Sequence, residues 1–380
     1  MYDVIVIGLG AMGSSTCLHL ARRGVRVLGL EQFAIPHDRG SSHGLSRMIR
    51  LCYAEHPDYV PLLRRSYDLW RELEAASGRR LLHVTGGLYL GRGDGEFING
   101  ARRAATLHGL DHRLMSRDEI AREYPQFEVP DDFAGFFEPT AGLLLPEEVL
   151  ATQAELALRA GAELHGHEPV LQWGPEGSGY VVTTSRGRYL ASRVVVCAGA
   201  WVGRLIADLG VRLVATRQVL GWVWPKSPEL FELGRCPVWA IEAPALEPPG
   251  LYYGFPMLPS APGFKIARHV PGVPVSPDGA TRDVTAEDEA DFRPALRRFL
   301  PRADGPLLAV RACLYTSTPD SNFIIDRHPR LAGVAMGCGF SGHGFKFASV
   351  VGEVLADLSV RGATDHPIGF LGLARFGRGG

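Results

Sequence analysis

The sequence predicts an α/β fold of two domains, one built on a parallel sheet that the chain opens early and completes late, the other an α+β domain on an antiparallel sheet. Three observations predict it. The first 30 residues read as strand, glycine turn, helix and strand. A nearly continuous apolar run at mid-chain, Val194-Val195-Val196-Cys197-Ala198, suits a strand buried on both faces of a parallel sheet. Between roughly Leu213 and Phe323 come further β-like runs punctuated by prolines. At 380 residues the chain also exceeds what one hydrophobic core usually supports. Residues 1–85, 145–215 and 320–380 are assigned to the first domain, and 86–144 and 216–319 to the second.

The opening strand is Val4-Ile5-Val6-Ile7, followed by Gly8-Leu9-Gly10-Ala11-Met12-Gly13, a helix to about Arg23, a stop at Gly24, and a strand from Val25 to Leu30. In this GxGxxG turn Gly8 allows the bend, Gly10 lets a pyrophosphate approach the backbone, and Gly13 allows close helix packing. The helix N-terminus at Ala11 and Met12 then faces phosphate. Glu31 ends the second strand, 18 residues after Gly13 (31 minus 13). A carboxylate there accepts hydrogen bonds from ribose hydroxyls and repels a 2′-phosphate, which disfavours NADP.

After Glu31 the chain enters a Gly/Ser/His-rich stretch, Arg39 to Gly44, whose Ser41 and Ser42 are candidate cofactor contacts, before a long helix from Tyr59 to Ser77. A further helix spans Glu147 to Ala160, and the short alternating pieces around Tyr180 to Thr184 predict a β-meander. The turn after the mid-chain apolar run supplies Ala198, Gly199 and Trp201 as further candidates. Strands of the second sheet are expected at Arg217 to Trp224, Leu251 to Phe255, Phe264 to His269 and Val310 to Thr316, with one amphipathic helix from Thr285 to just before Pro301. The chain closes with a strand Val334 to Gly337, a glycine-rich turn to Gly344, and a helix with Phe347, Val350, Val351, Val354, Leu355 and Leu358 on one packed face.

With 46% hydrophobic and 21% charged residues and a formal net charge of -1, the chain lacks the positive field of a nucleic-acid binder. The six cysteines are scattered without CxxC pairs, so reduced thiols and no metal are expected. The first strand begins almost at the initiator and no apolar run reaches the roughly 18 to 20 residues of a spanning helix. These features predict a cytoplasmic protein that does not engage a membrane.

The interrupted sheet favours FAD over NAD, by analogy with the FAD-binding Rossmann domain of the glutathione-reductase type. The turn Gly337 to Gly344 strengthens that reading, since a helix N-terminus aimed at the flavin's pyrimidine edge stabilises the negative charge of the reduced ring. Six stretches then resemble one family, the monomeric sarcosine oxidases and their relative N-methyltryptophan oxidase. They are GLGAMGSS (Gly8 to Ser15), SSHGLSRMIR (Ser41 to Arg50), YYGFP (Tyr252 to Pro256), GFKIARH (Gly263 to His269), CLYTSTPDSNFIID (Cys313 to Asp326) and GFSGHGFKFASVVGE (Gly339 to Glu353).

The resemblance implies FAD-dependent oxidation of a secondary amine in an N-methyl amino acid, giving formaldehyde, a primary amino acid and hydrogen peroxide, by a monomer whose partners are the small amine and dioxygen. It makes Arg50 and Lys346 a carboxylate clamp, Cys313 the point of covalent flavin attachment, Lys265 the oxygen-activating lysine and Arg47 a flavin-proximal arginine. Tyr253 and Tyr315 become aromatic walls, and Gly339, Gly342, His343, Gly344 and Phe345, with Lys346, further flavin contacts. His269 shares a strand face with Lys265, and either meets the substrate amine or is an ordinary buried histidine. The match loosens between Pro225 and Pro249, a region with Trp239 and several prolines, and with Trp222 and Trp224 just before it, expected to border the pocket. Sarcosine, a larger N-alkyl amino acid and a cyclic imino acid therefore all stay open. So do a flavin dehydrogenase, a catalytically silent FAD-binding protein and a nicotinamide dehydrogenase.

Overall fold

The computed structural model describes residues 1–206, 209–270 and 272–377. Among them, eight strands form a first sheet. Its parallel part runs Glu163–His165, Val27–Leu30, Tyr2–Ile7, Arg188–Val196 and Val334–Cys338 in spatial order. Ile324–Arg327 pairs antiparallel at one edge, and Val170–Glu176 with Gly179–Thr184 makes the meander that continues Arg188–Val196. The central strand is buried on both faces because side chains alternate. Val4 and Val6 join the core under helices Ala11–Arg22, Pro146–Arg159 and Ala348–Val360, whereas Ile5 and Ile7 pack with Val194, Val196 and Met336 on the other side. The N-terminus of Ala11–Arg22 thus emerges at the carboxyl ends of the parallel strands, where ligands bind in such sheets.

The second sheet also has eight strands among the described residues. Their order is Leu307–Ser317, Val214–Val223, Phe264–His269, Gly250–Phe255, Val238–Ala243, Gly87–Arg92, Phe133–Glu138 and Arg113–Met115. It departs from the expected antiparallel sheet at one pair, Val238–Ala243 with Gly87–Arg92, which is parallel because an earlier stretch of chain joins there. A third, small antiparallel sheet has Gly142–Leu144 between Arg47–Ile49 and Leu82–Val84.

Two expected elements are corrected. The helix from Thr285 is two helices, Ala286–Ala290 and Arg293–Phe299. Pro294 is the reason: its ring would collide with the carbonyl four residues back, yet it fits the first turn of a new helix. The closing helix, expected straight after Gly344, begins as a 3-10 turn, Phe345–Phe347, before Ala348–Val360. No helix of the described residues is long and apolar enough to cross a membrane. None of their His, Cys, Asp and Glu side chains group as a metal site.

Candidate active site

A cavity of about 540 Å³ is lined by both the glycine turn of the first sheet and the inner face of the second. Of the catalytic and cofactor-binding candidates named above, all line it except Gly13 and Lys265. Gly13 serves packing: a Cβ there would sit 1.8 Å from the Gly8 carbonyl oxygen. Gly8 has φ +91°, and a Cβ would press within 2.6 Å of the Cys197 carbonyl oxygen, so both strand and turn require glycine.

At the nucleotide side Glu31 is buried and its carboxylate accepts from the Leu9 N–H (2.8 Å) and the Phe33 N–H (3.1 Å), with His37 Nε2 at 3.6 Å. Burial pushes this carboxyl up, but His37 and the two amides outweigh it and hold it below its ordinary range. The Ser42 hydroxyl accepts from Ala11 N–H at 3.2 Å, at the start of the helix. Ser41 Oγ donates to the Leu314 carbonyl (2.5 Å), and Arg47 donates to the Ser41 carbonyl (2.9 Å). The loop therefore ties the first sheet's glycine turn to the strand bearing Cys313. Trp201 donates to Asp278 at 2.6 Å. An open backbone at Gly10, a helix start, an ionised acid after the second strand and a buried Thr316 hydroxyl without a protein partner fit a dinucleotide such as FAD.

On the second sheet, register puts the predicted groups on one face. Tyr253 stands opposite Ala267, and His269 opposite Leu251. Lys265 pairs across with Phe255 and Trp222, and Cys313 with Gln218. Lys265 is buried behind the cavity wall rather than in it. Its ammonium donates to the carbonyls of Gly44 (2.6 Å) and Ser46 (2.7 Å) and to Ser46 Oγ (3.2 Å), under the rings of Phe255 and Trp222. That turn, with Gly44 at φ +100° and Leu45 at φ +68°, precedes Arg47, which does line the cavity. Glu147 holds it from the other side by accepting from the N–H groups of Gly44 (2.7 Å) and Leu45 (3.1 Å). Burial drives the Lys265 pKa far down, Arg47 acts in the same sense, and Glu147 opposes.

Arg50 and Lys346 meet at the charged end. Arg50 is 4% exposed and donates to both Glu55 oxygens at 2.6 Å and to the Cys52 carbonyl at 3.0 Å, over the Tyr53 ring. Burial raises the Glu55 carboxyl, yet Arg50, His343 and Lys346 hold it at about 2. Lys346 donates to the His343 carbonyl (2.7 Å); burial first, then Arg50, brings its pKa down to about 7. His269 is neutral, lowered to about 4 chiefly by burial, with Nδ1 3.1 Å from the Tyr315 hydroxyl. Burial raises Tyr315 and Tyr253, so both are phenols.

Sequence reasoning missed Glu55, Phe97, Ala240 and Leu251, all of which line the cavity. Glu55 carried a signal, a carboxylate five residues beyond Arg50. Of the expected tryptophans, Trp222 and Trp239 are fully buried in the sheet and Trp224 is exposed, so the loosely matching region borders the cavity through Ala240 instead. Strand alternation is the reason: Trp239 points into the core on the opposite face from Ala240.

Residues 3–358 match the family model described as FAD dependent oxidoreductase. The chain is 42% identical over 372 residues to a monomeric sarcosine oxidase of Streptomyces avermitilis, covering 97% of this chain and 96% of that protein. It is 34% identical over 377 residues to an N-methyl-L-tryptophan oxidase of Yersinia pestis, covering 99% of both. Among solved structures, NikD, an unusual amino acid oxidase of nikkomycin biosynthesis, superposes with a TM-score of 0.86 at 29% identity, covering 98% of this chain and 97% of that one.

Proposed function

The chain belongs to the FAD dependent oxidoreductase family, and from that premise we propose that it oxidises the secondary amine of N-methyl amino acids with dioxygen. The observation that carries this reading is the meeting of two buried cations, Arg50 and Lys346, with neutral His269 and the phenols Tyr253 and Tyr315 on the wall that bears Cys313. Bound FAD would supply the acceptor for two electrons from the carbon next to nitrogen and deliver them to dioxygen as hydrogen peroxide. Gly8 to Met12 and the helix start would hold its pyrophosphate, Glu31 a ribose, and Gly339 to Phe345 the flavin.

The protein's own work is binding and orientation. Arg50 and Lys346 would grip the substrate carboxylate, the former as a planar fork and the latter as a point charge. Arg50 reaches it by exchanging Glu55 for the substrate anion. Neutral His269 can accept a hydrogen bond from the amine without repelling it, and the tyrosines close the apolar walls around the N-methyl group. Overall, amine, dioxygen and water become primary amino acid, formaldehyde and hydrogen peroxide. The same reading has the chain work as a cytoplasmic monomer on a small amine.

Formaldehyde and peroxide measured together test the reaction. One of each per sarcosine or larger N-methyl amino acid is expected; peroxide from proline without formaldehyde would move the substrate class to cyclic imino acids. The pKa of Lys346 gives a pH dependence. Below about 7 this lysine is a cation and above it neutral, and a bound carboxylate favours the cation. Affinity for the substrate carboxylate should therefore fall as pH rises through about 7, and Lys346→Met should flatten that dependence of KM.

For Cys313, covalent attachment of the flavin is part of the proposal. The thiol lines the cavity; burial raises its pKa, while Arg47, Lys265, Arg282 and Arg217 favour the thiolate. Yellow colour should stay with acid-precipitated protein and be released from Cys313→Ser. Release from the unmodified chain as well would remove this role.

A further inference from the structure

The mechanism above leaves the fully buried carboxylate of Glu138 without a task. Glu138 ends the strand Phe133–Glu138 and is 0% exposed, yet it does not line the cavity. It accepts four hydrogen bonds: from the N–H groups of Leu51 (2.5 Å) and Cys52 (3.2 Å), the Tyr89 hydroxyl (3.0 Å) and the Thr140 hydroxyl (3.0 Å). The two amides explain its place. Strand Arg47–Ile49 pairs with Gly142–Leu144 only as far as Ile49, opposite Gly142. Just beyond, Leu51 and Cys52 have left the ladder, and buried N–H groups without partners are costly. The carboxylate takes both.

Between the end of that ladder and those amides sits Arg50. Its guanidinium bends back to the Cys52 carbonyl (3.0 Å) and lies 5.7 Å from the ring of Tyr89, the same tyrosine that donates to Glu138. One carboxylate thus fixes the backbone on the far side of Arg50, up to the residue whose carbonyl Arg50 binds, and an aromatic ring beneath it.

Resting on the carboxylate-clamp reading of Arg50, we propose that Glu138 is a positioning residue for substrate recognition, holding Arg50 where the substrate carboxylate must meet it. It touches neither substrate nor cofactor. Its effect should therefore fall on carboxylate binding and spare the chemistry.

The test compares sarcosine with sarcosine methyl ester, which keeps the amine and lacks the anion, in the FAD-loaded enzyme and its Glu138→Gln variant. KM for sarcosine should rise about tenfold, as for loss of one charge-assisted interaction, with kcat and the KM for the ester within about twofold. Glu138→Asp, which keeps the charge, should recover part of the loss and covers the case in which Glu138→Gln folds poorly. Calorimetric binding of methoxyacetate, a carboxylate with no amine to oxidise, separates the two readings without turnover. Weakened binding in either variant, against firm binding by the unmodified enzyme, supports the role. Equal binding overturns it while leaving the clamp intact. Failure of the unmodified enzyme to bind methoxyacetate overturns the clamp and this proposal together, and equal losses with sarcosine and ester would mark Glu138 as structural only.

Discussion

Arg50→Ala should raise KM for an N-methyl amino acid about 10- to 100-fold and leave kcat within about threefold, the range for losing a charge-assisted pair to a bound anion. Two contributions add in that number. The substrate loses a planar fork, and Glu55, which both oxygens tie to Arg50 at 2.6 Å, becomes an unpaired anion lining the same cavity. Binding a carboxylate beside it then also works against like charge. Glu55→Gln in the Arg50→Ala background should therefore recover part of the lost affinity, whereas on its own it frees Arg50 and should lower KM. Steady-state kinetics on the four proteins of this cycle would measure the coupling. An unchanged KM in Arg50→Ala would refute the clamp.

Lys265→Met should lower kcat/KM for dioxygen about 100- to 1000-fold, the scale for removing one preorganised electrostatic stabiliser, while kcat/KM for the amine changes less than about tenfold. Although burial lowers its pKa, the three acceptors around Lys265 favour its ammonium form, and a cation favours the anion that dioxygen becomes on taking its first electron. The location of Lys265 adds a second consequence. Its ammonium satisfies the Gly44 and Ser46 carbonyls, and methionine would orphan both, at about 1–3 kcal/mol for each group left unsatisfied. A lower Tm should accompany the kinetic defect, and Lys265→Arg should recover some of both. If oxygen and amine steps fell equally, the lysine would be a clamp for the turn before Arg47 and nothing more.

What could be read from the sequence is what is local or periodic. The glycine turn, Glu31 and the helix Tyr59–Ser77 follow from patterns within a few residues, and the helix has the predicted bounds. The shared face of Lys265 and His269 follows from strand alternation, which the register bears out. Pro294 carried the signal for a broken helix, but the acidic start at Thr285 and the apolar spacing beyond it favoured one continuous helix. Non-local pairing escaped. The parallel contact of Val238–Ala243 with Gly87–Arg92 depends on how distant segments meet.

The carboxylates behind the site escaped for the same reason. Glu147 acts on Gly44, and Glu138 on Leu51, across long separations in the chain. Nothing around either residue in sequence distinguishes it from a surface acid. Lys265 shows the limit from the other side, since its strand face was legible but the turn that occupies its three donors was not.

The visible spectrum of the purified protein, recorded without oxygen while sarcosine, N-methyltryptophan and proline are added in turn, tests the central claim most directly. A yellow protein that bleaches with an N-methyl amino acid and regains its colour when air is admitted is the predicted result. A flavin spectrum that no amine bleaches would contradict oxidase function, and a colourless protein that takes up no FAD would contradict the assignment of the cavity itself.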